Sequence, residues 1–194
     1  MIHAFRSFTI LLHNPWAKPV DPIKPFYHSF RVMPWDCDLN IHLTNARYPQ
    51  QLDLARTRFL MQIGTGLLFA KIGWRSVLAS QTITFIREIK PFTLVNIESR
   101  VLHWDRKYFY MESRFLVEGQ VHAKALARIA MIKNGRVSSF TTMLKDVAKV
   151  HHLTTATPES PSFTAQTNAM TELLNEMRQA DEPLTPLASS QSSE

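Results

Sequence analysis

One cysteine, Cys37, is all the thiol chemistry in this chain of 194 residues. It excludes an intrachain disulfide and points weakly to a reducing compartment. Glycine is almost as scarce, with five in all, and no glycine-rich loop of the kind that cradles a phosphate is present. The eight histidines show no His-Glu-x-x-His or other metal-ligand spacing, and His151-His152 sits in a polar tail, so neither metal nor cofactor is expected. Long apolar runs are missing too. The apolar patch Phe8-Thr9-Ile10-Leu11-Leu12 is too short to span a bilayer and leads into no small-residue cleavage site. A cytoplasmic protein with no membrane span is expected, and a peripheral contact through Phe5, Phe8, Ile10 and Leu11 is the lesser reading.

What is present has the balance of a globular chain, 45% hydrophobic and 20% charged, long enough for one domain with extensions. The net charge of +6, from 22 basic and 16 acidic residues, favours acidic partners. Those partners are nucleic acid, anionic lipid or a phosphorylated small molecule; the cations are scattered rather than run together, which argues against a nucleic-acid footprint, and a plain solvated surface is the first reading for most of them.

Four prolines, Pro15, Pro19, Pro22 and Pro25, make residues 1–25 an extended lead-in. Phe30 and Val32 then alternate with Ser29 and Arg31, as in a half-buried strand. Tyr48, Leu52, Ala55, Phe59 and Ile63 recur at helical spacing. Thr44 or Asn45 is the expected N-cap, and Gly64 with Gly66 the stop. Pro49 falls awkwardly close to that start, so the first turn is distorted or begins a residue or two later.

Residues 74–145 read as successive strands. Val77, Ala79, Ile83 and Phe85 share one parity; Val95, Ile97 and Val101 come next, then Tyr108, Tyr110 and Phe115. Glu118-Gly119-Gln120 makes a turn into Val121–Ile132, and Asn134-Gly135 makes a hairpin into a last strand, Val137–Leu144. One helix and a long antiparallel sheet satisfy each other when the sheet wraps the helix. The expectation is α+β: a hotdog fold over residues 26–145, one long central helix wrapped by a curved antiparallel sheet. Its open sheet edge favours a homodimer or homotetramer. Residues 146–194 form a Ser/Thr/Pro-rich tail with a short amphipathic helix through Met170, Leu173, Leu174 and Met177, docked on its own domain.

The most informative stretch runs from Trp35 to Tyr48. It sets an acid, an amide and an imidazole at alternate positions, Asp38, Asn40 and His42, just before a helix start. These groups position and deprotonate a nucleophile, and free helix-start amides favour a developing negative charge. Each has a plainer reading as well. Asp38 and Asn40 serve as turn residues, His42 as a structural histidine, Asn45 as a cap, Tyr48 as core and Asp36 as a cap or orienting group. Cys37 is a poor nucleophile, because two flanking carboxylates suppress its thiolate and its side chain points opposite to theirs.

This pattern resembles the hotdog-fold acyl thioesterases, in particular the 4-hydroxybenzoyl-CoA thioesterase-like group, over about residues 26–140. Asp36-Cys37-Asp38 looks like that group's Asp-x-Asp, in which the second acid is catalytic. Asp38-Leu39-Asn40-Ile41-His42 looks like the Asp-x-Asn-x-His of plant acyl-carrier-protein thioesterases. The segments Ile83–Phe92 and Trp104–Tyr110 are similar to the branch called thioesterase-like proteins. The resemblance implies hydrolysis of an acyl-CoA or acyl-carrier thioester without a cofactor. Asp38 would be general base or nucleophile, Asn40 would hold the water or the carboxylate, and His42 would move a proton or bind the oxyanion. Amides of Leu43 to Asn45 would polarise the carbonyl. Thr44, Asn45 and Tyr48 would contact substrate. From position alone, Arg87, Lys90 and Arg128 would meet the phosphates of coenzyme A, and surface charge is the plainer reading of each. Three departures stand out: Thr44 where many relatives have Asn, Asn40 where many have Gly, and Pro49 after the tyrosine. They keep open a non-catalytic module that binds acyl-CoA or lipid, and more distantly an acyl dehydratase.

Overall fold

Regular structure begins with alternating burial. In β1 (Phe26–Arg31) Phe26 and His28 turn inward, and Tyr27, Ser29 and Arg31 face out, as the period of two in a strand requires. The computed structural model describes residues 19–153, 158–162 and 164–179. After β1 come a 3₁₀ turn (Pro34–Asp36), α1 (Arg47–Gln62), α2 (Gly66–Lys71), β2 (Trp74–Phe85), β3 (Leu94–Trp104), β4 (Tyr108–Val117), β5 (Gln120–Lys133), β6 (Arg136–Ser138), α3 (Phe140–Val150) and α4 (Ala165–Gln179). The strands form one antiparallel sheet in the order β1-β3-β4-β5-β2, and β6 pairs with the end of β5. Both expected hairpin turns form. Glu118 and Gly119 (φ +49° and +78°) and Asn134 and Gly135 (φ +50° and +81°) supply the paired left-handed residues of a two-residue hairpin loop.

α1 lays its apolar stripe on the inner face of the sheet, where two groups of buried side chains meet it. Toward its start, Tyr48, Leu52 and Ala55 pack with Val95, Ile97, Phe115 and Ala123. Toward its end, Phe59 and Leu60 pack with Trp74, Phe109, Met111 and Ile129, and with Phe140, Met143 and Val147 of α3. Ser99 and Ser113 separate the two groups. Both are buried, they face each other across β3 and β4, and their hydroxyls are 2.8 Å apart. α1 stops at Gly64, as expected. There φ is +91°, and an added Cβ would lie 2.7 Å from Pro19 Cγ, so both the backbone and the space demand glycine.

Two expectations are corrected. The last strand stops after three residues, and residues 140–150 are helix α3, so the sheet is covered by more than a single long helix. Ser139 caps α3 by accepting the Thr142 N–H at 3.1 Å, and Phe140, Met143, Leu144 and Val147 recur at helical spacing on its buried face. The shared parity of β2 also fails. The register shifts between Leu78 and Ser80, and this bulge at Ala79 turns Val77 and Ile83 to opposite faces. Val77 pairs with Ala130 and Ile83 with Ala125, which differ in parity along β5. As the edge strand, β2 leaves Val77, Leu78 and Phe85 between 42% and 48% exposed.

Contacts divide the chain into two compact units at Ser162. The second holds α4, which includes Met170, Leu173, Leu174 and Met177. Among the described residues no helix is long and apolar enough to cross a membrane. The patch Phe5–Leu12 and the last dozen residues lie outside the described residues.

Candidate active site

The chain leaves β1 through the 3₁₀ turn, and Asp36 organises the path from there to α1. Its carboxylate is buried. One oxygen accepts the Met33 N–H at 3.1 Å, and the other lies 3.2 Å from Arg47 Nε at the first residue of α1. Its carbonyl accepts the Thr44 N–H at 3.0 Å. The expected side-chain cap from Thr44 or Asn45 is absent, because Ala46 occupies the cap position. That later start puts Pro49 within the first turn, where a missing N–H leaves no bond unmade. The Asp36 anion beside the positive end of α1 takes over the electrostatic role of a cap.

Between Asp36 and α1 the chain makes a tight loop, closed by a bridge between Cys37 and Leu43. Asp38 N–H donates to His42 O at 3.1 Å and Ile41 N–H to Asp38 O at 3.0 Å. Asp38 Oδ1 accepts the Asn40 backbone N–H at 2.9 Å and lies 3.6 Å from His42 Nδ1. The three expected residues therefore converge on one carboxylate oxygen, Asn40 through its backbone rather than its amide side chain. The Asp38 side chain is 34% exposed and that of His42 29%. Ile41, a β-branched residue, sits at φ +60°, a strained conformation that the surrounding loop bonds hold. Leu39 and Ile41 stand exposed at the tip.

The amides expected to polarise a carbonyl are mostly engaged. Leu43 N–H donates to Ile89 O at 2.8 Å and Thr44 N–H to Asp36 O, whereas the Asn45 N–H makes no such bond among the described residues. Thr44 is half-buried and Asn45 exposed. The Tyr48 ring is buried against Phe85 and Phe115, each with centroids 4.9 Å away, and burial pushes its hydroxyl up to about 12. Arg87 and Lys90 are exposed on the β2–β3 connection, which meets the loop through Ile89. Arg87 donates to Gln120 Oε1 at 3.3 Å, and Lys90 lies 3.5 Å from Glu88. Arg128 is buried, its guanidinium 4.4 Å from the Tyr108 ring centroid, so it is not an open phosphate ligand. Burial raises the Cys37 thiol above its ordinary range, with the Asp36 and Asp38 charges adding to it. Its Sγ is 3.6 Å from Met33 O. Arg47 and Ile89, which no motif singles out, fasten the loop to α1 and to the β2–β3 connection. Arg47 left one trace, a cation just past an acid-rich turn.

Known proteins resemble this chain in sequence and in fold. The family model of the Thioesterase-like superfamily matches residues 32–167. A probable thioesterase of Saccharomyces cerevisiae is 30% identical over 105 residues, covering 53% of this chain and 46% of its own. The chain spans about half the length of the curated relatives it matches. A probable thioesterase from Bartonella henselae superposes with a TM-score of 0.56 at 24% identity, over 60% of this chain and 99% of its own. A Thermus thermophilus thioesterase complexed with coenzyme A and Zn superposes with a TM-score of 0.55 at 21% identity, over 65% of this chain and 93% of its own. At these identities the two structures show a common fold.

Proposed function

The chain belongs to the Thioesterase-like superfamily, and on that premise we propose that it hydrolyses an acyl thioester, of coenzyme A or an acyl carrier, to a free acid and a thiol. The observation that carries this is the Asp38 carboxylate, fixed by the Asn40 N–H and faced by His42 at 3.6 Å. Asp38 takes a proton from water as the water oxygen adds to the carbonyl carbon. The oxyanion meets the Asn45 N–H and His42. The C–S bond then breaks, and the thiolate leaves with the proton that Asp38 or His42 returns. In the nucleophilic variant Asp38 adds directly, the thiolate leaves, and water cleaves the resulting anhydride. Thr44, Asn45 and the wall formed by Tyr48 border the reacting group, and Arg87 and Lys90 meet phosphate.

Two copies complete the site in this proposal. Val77, Leu78 and Phe85 on the unpaired edge of β2, and the bare tip of Leu39 and Ile41, suit burial against a second subunit. α1 is then the central helix of a hotdog pair working on cytoplasmic thioesters.

The test is release of free thiol from a panel of acyl-CoAs by wild type, Asp38→Asn and Asp38→Ala. Loss of the base lowers kcat by about 10²- to 10⁴-fold. Undiminished turnover in both variants removes the assigned mechanism. Calorimetric binding of acyl-CoA with no turnover by wild type replaces the enzyme with a binding module.

A further inference from the structure

Eleven prolines punctuate the chain, and they fall into two sets. None of the seven between Pro15 and Pro91 follows a serine or threonine, whereas three of the last four do: Thr157-Pro158, Ser160-Pro161 and Thr185-Pro186. Of these three hydroxyl residues, Ser160 alone is among the described residues. Its side chain holds the chain to the end of β3.

β1 pairs with β3 only as far as Ser99, while β4 follows β3 to Trp104. Beyond Ser99 the edge of β3 on the β1 side has outrun its neighbour, and Ser160 meets it there. Ser160 Oγ accepts the Trp104 N–H at 2.8 Å and donates to Trp104 O at 2.9 Å. One side chain thus satisfies both backbone groups that an adjacent strand would otherwise take. His103 adds a second tie. Its Nδ1 donates to Pro161 O at 2.7 Å and lies 2.9 Å from Ser160 Oγ. Ser160 is half-buried, Pro161 biases it toward extended backbone, and the first compact unit ends two residues later, at Ser162. Residues 158–162 are a strap fastened by one hydroxyl.

We infer that Ser160 is a phosphorylation site for a proline-directed protein kinase, and that its modification releases the strap. The γ-phosphoryl of ATP passes to Oγ: a new O–P bond forms, the bridging P–O bond of ATP breaks to leave ADP, and the hydroxyl proton goes to a base on the kinase. Oγ then has no hydrogen to give. Trp104 O, and Pro161 O at 3.3 Å, face a group of about two negative charges in place of a donor, with the exposed Glu159 carboxylate beside it. The fastened state also has no room for a tetrahedral group, because the Trp104 backbone and the His103 ring already crowd Oγ within 2.9 Å. The kinase therefore meets Ser160 only when the strap has lifted, and phosphorylation traps that open form. The inference is independent of the thioester reading and uses none of its residues.

The experiment incubates the full chain with ATP and a proline-directed serine/threonine kinase, maps the product by mass spectrometry, and follows hydrogen exchange at the Trp104 amide. Phosphate is expected on Ser160, with Trp104 exchanging at least about five-fold faster, the equivalent of one lost hydrogen bond. Ser160→Ala takes no label at that position and exchanges fast without kinase. Ser160→Thr keeps the slow exchange and accepts the label. His103→Ala, which removes the tie to Pro161, raises the initial rate of labelling about five-fold. Label confined to other hydroxyls, label on Ser160 only in heat-unfolded chain, or a phosphorylated chain whose Trp104 amide exchanges as slowly as before overturns the proposal.

Discussion

Replacing Asp36 by alanine tests whether this carboxylate, rather than Asp38, is what holds the loop against α1. The substitution removes a hydrogen bond from the Met33 amide at 3.1 Å and an ion pair with Arg47 at 3.2 Å. A bond to a charged group contributes about 1.5–3 kcal/mol and a neutral one about 1. The Arg47 side chain is 25% exposed, so water meets part of its demand, and the larger penalty of a fully buried orphan charge does not apply. The expected loss is about 3 kcal/mol. At roughly 2–4 °C per kcal/mol for a unit of this size, the midpoint of thermal unfolding falls by about 6–12 °C. Asp36→Asn keeps an acceptor for Met33 and should fall about half as far. The decisive readout is a double-mutant cycle with Arg47→Ala, where direct contact predicts coupling of about 1–2 kcal/mol. Additive effects, or an Asp36→Ala protein that melts within about 1 °C of wild type, would refute the clasp.

Asp146 sets an acid limit. Partial burial raises its carboxyl, but the bonds from Lys133 and the Trp74 indole, with the charges of Lys133 and Lys149, hold it below the ordinary range. A carboxylate lowered by folding stabilises at pH above its unfolded value, and that stability is lost as pH falls through the folded value. Asp146→Asn should therefore flatten the acid limb of stability against pH, as measured by denaturant titration, and an unchanged limb counts against it. Phe140→Ala removes a ring stacked on Phe109 at 4.5 Å and set against Trp104 at 5.2 Å, so a loss of about 3–5 kcal/mol is expected in urea unfolding. Cys37→Ser should leave thioester turnover intact. Alkylation of wild-type Cys37 should be slow at neutral pH and speed up only above the ordinary thiol range, and rapid labelling at pH 7 would contradict the raised thiol.

Local signals carried most of the sheet. Glu118-Gly119 and Asn134-Gly135 were legible because a two-residue hairpin needs left-handed residues and these pairs provide them. The stripe from Tyr48 to Ile63 was legible because a long helix repeats its own period. α3 was lost because Val137–Leu144 is apolar enough to pass for a strand, while the signal that decides it, Ser139 capping Phe140, Met143, Leu144 and Val147, spans only ten or so residues. The bulge at Ala79 has no residue signature; it is set by how β2 meets β5. In the site, the grouping of Asp38, Asn40 and His42 was evident from their spacing. The capture of the Leu43 amide was not, since it depends on Ile89, a residue forty-odd positions away whose place beside the loop exists only once the sheet has formed.

The hydroxyl pair of Ser99 and Ser113 has an evolutionary consequence. Because the hydrocarbon interior is interrupted there rather than interlocked from end to end, a change of volume beside Tyr48 and Phe115 need not propagate to the clamp of Trp104, Phe109 and Phe140. Descendants of this chain are free to widen or narrow the half nearest the carboxylate loop while the far half continues to secure the scaffold.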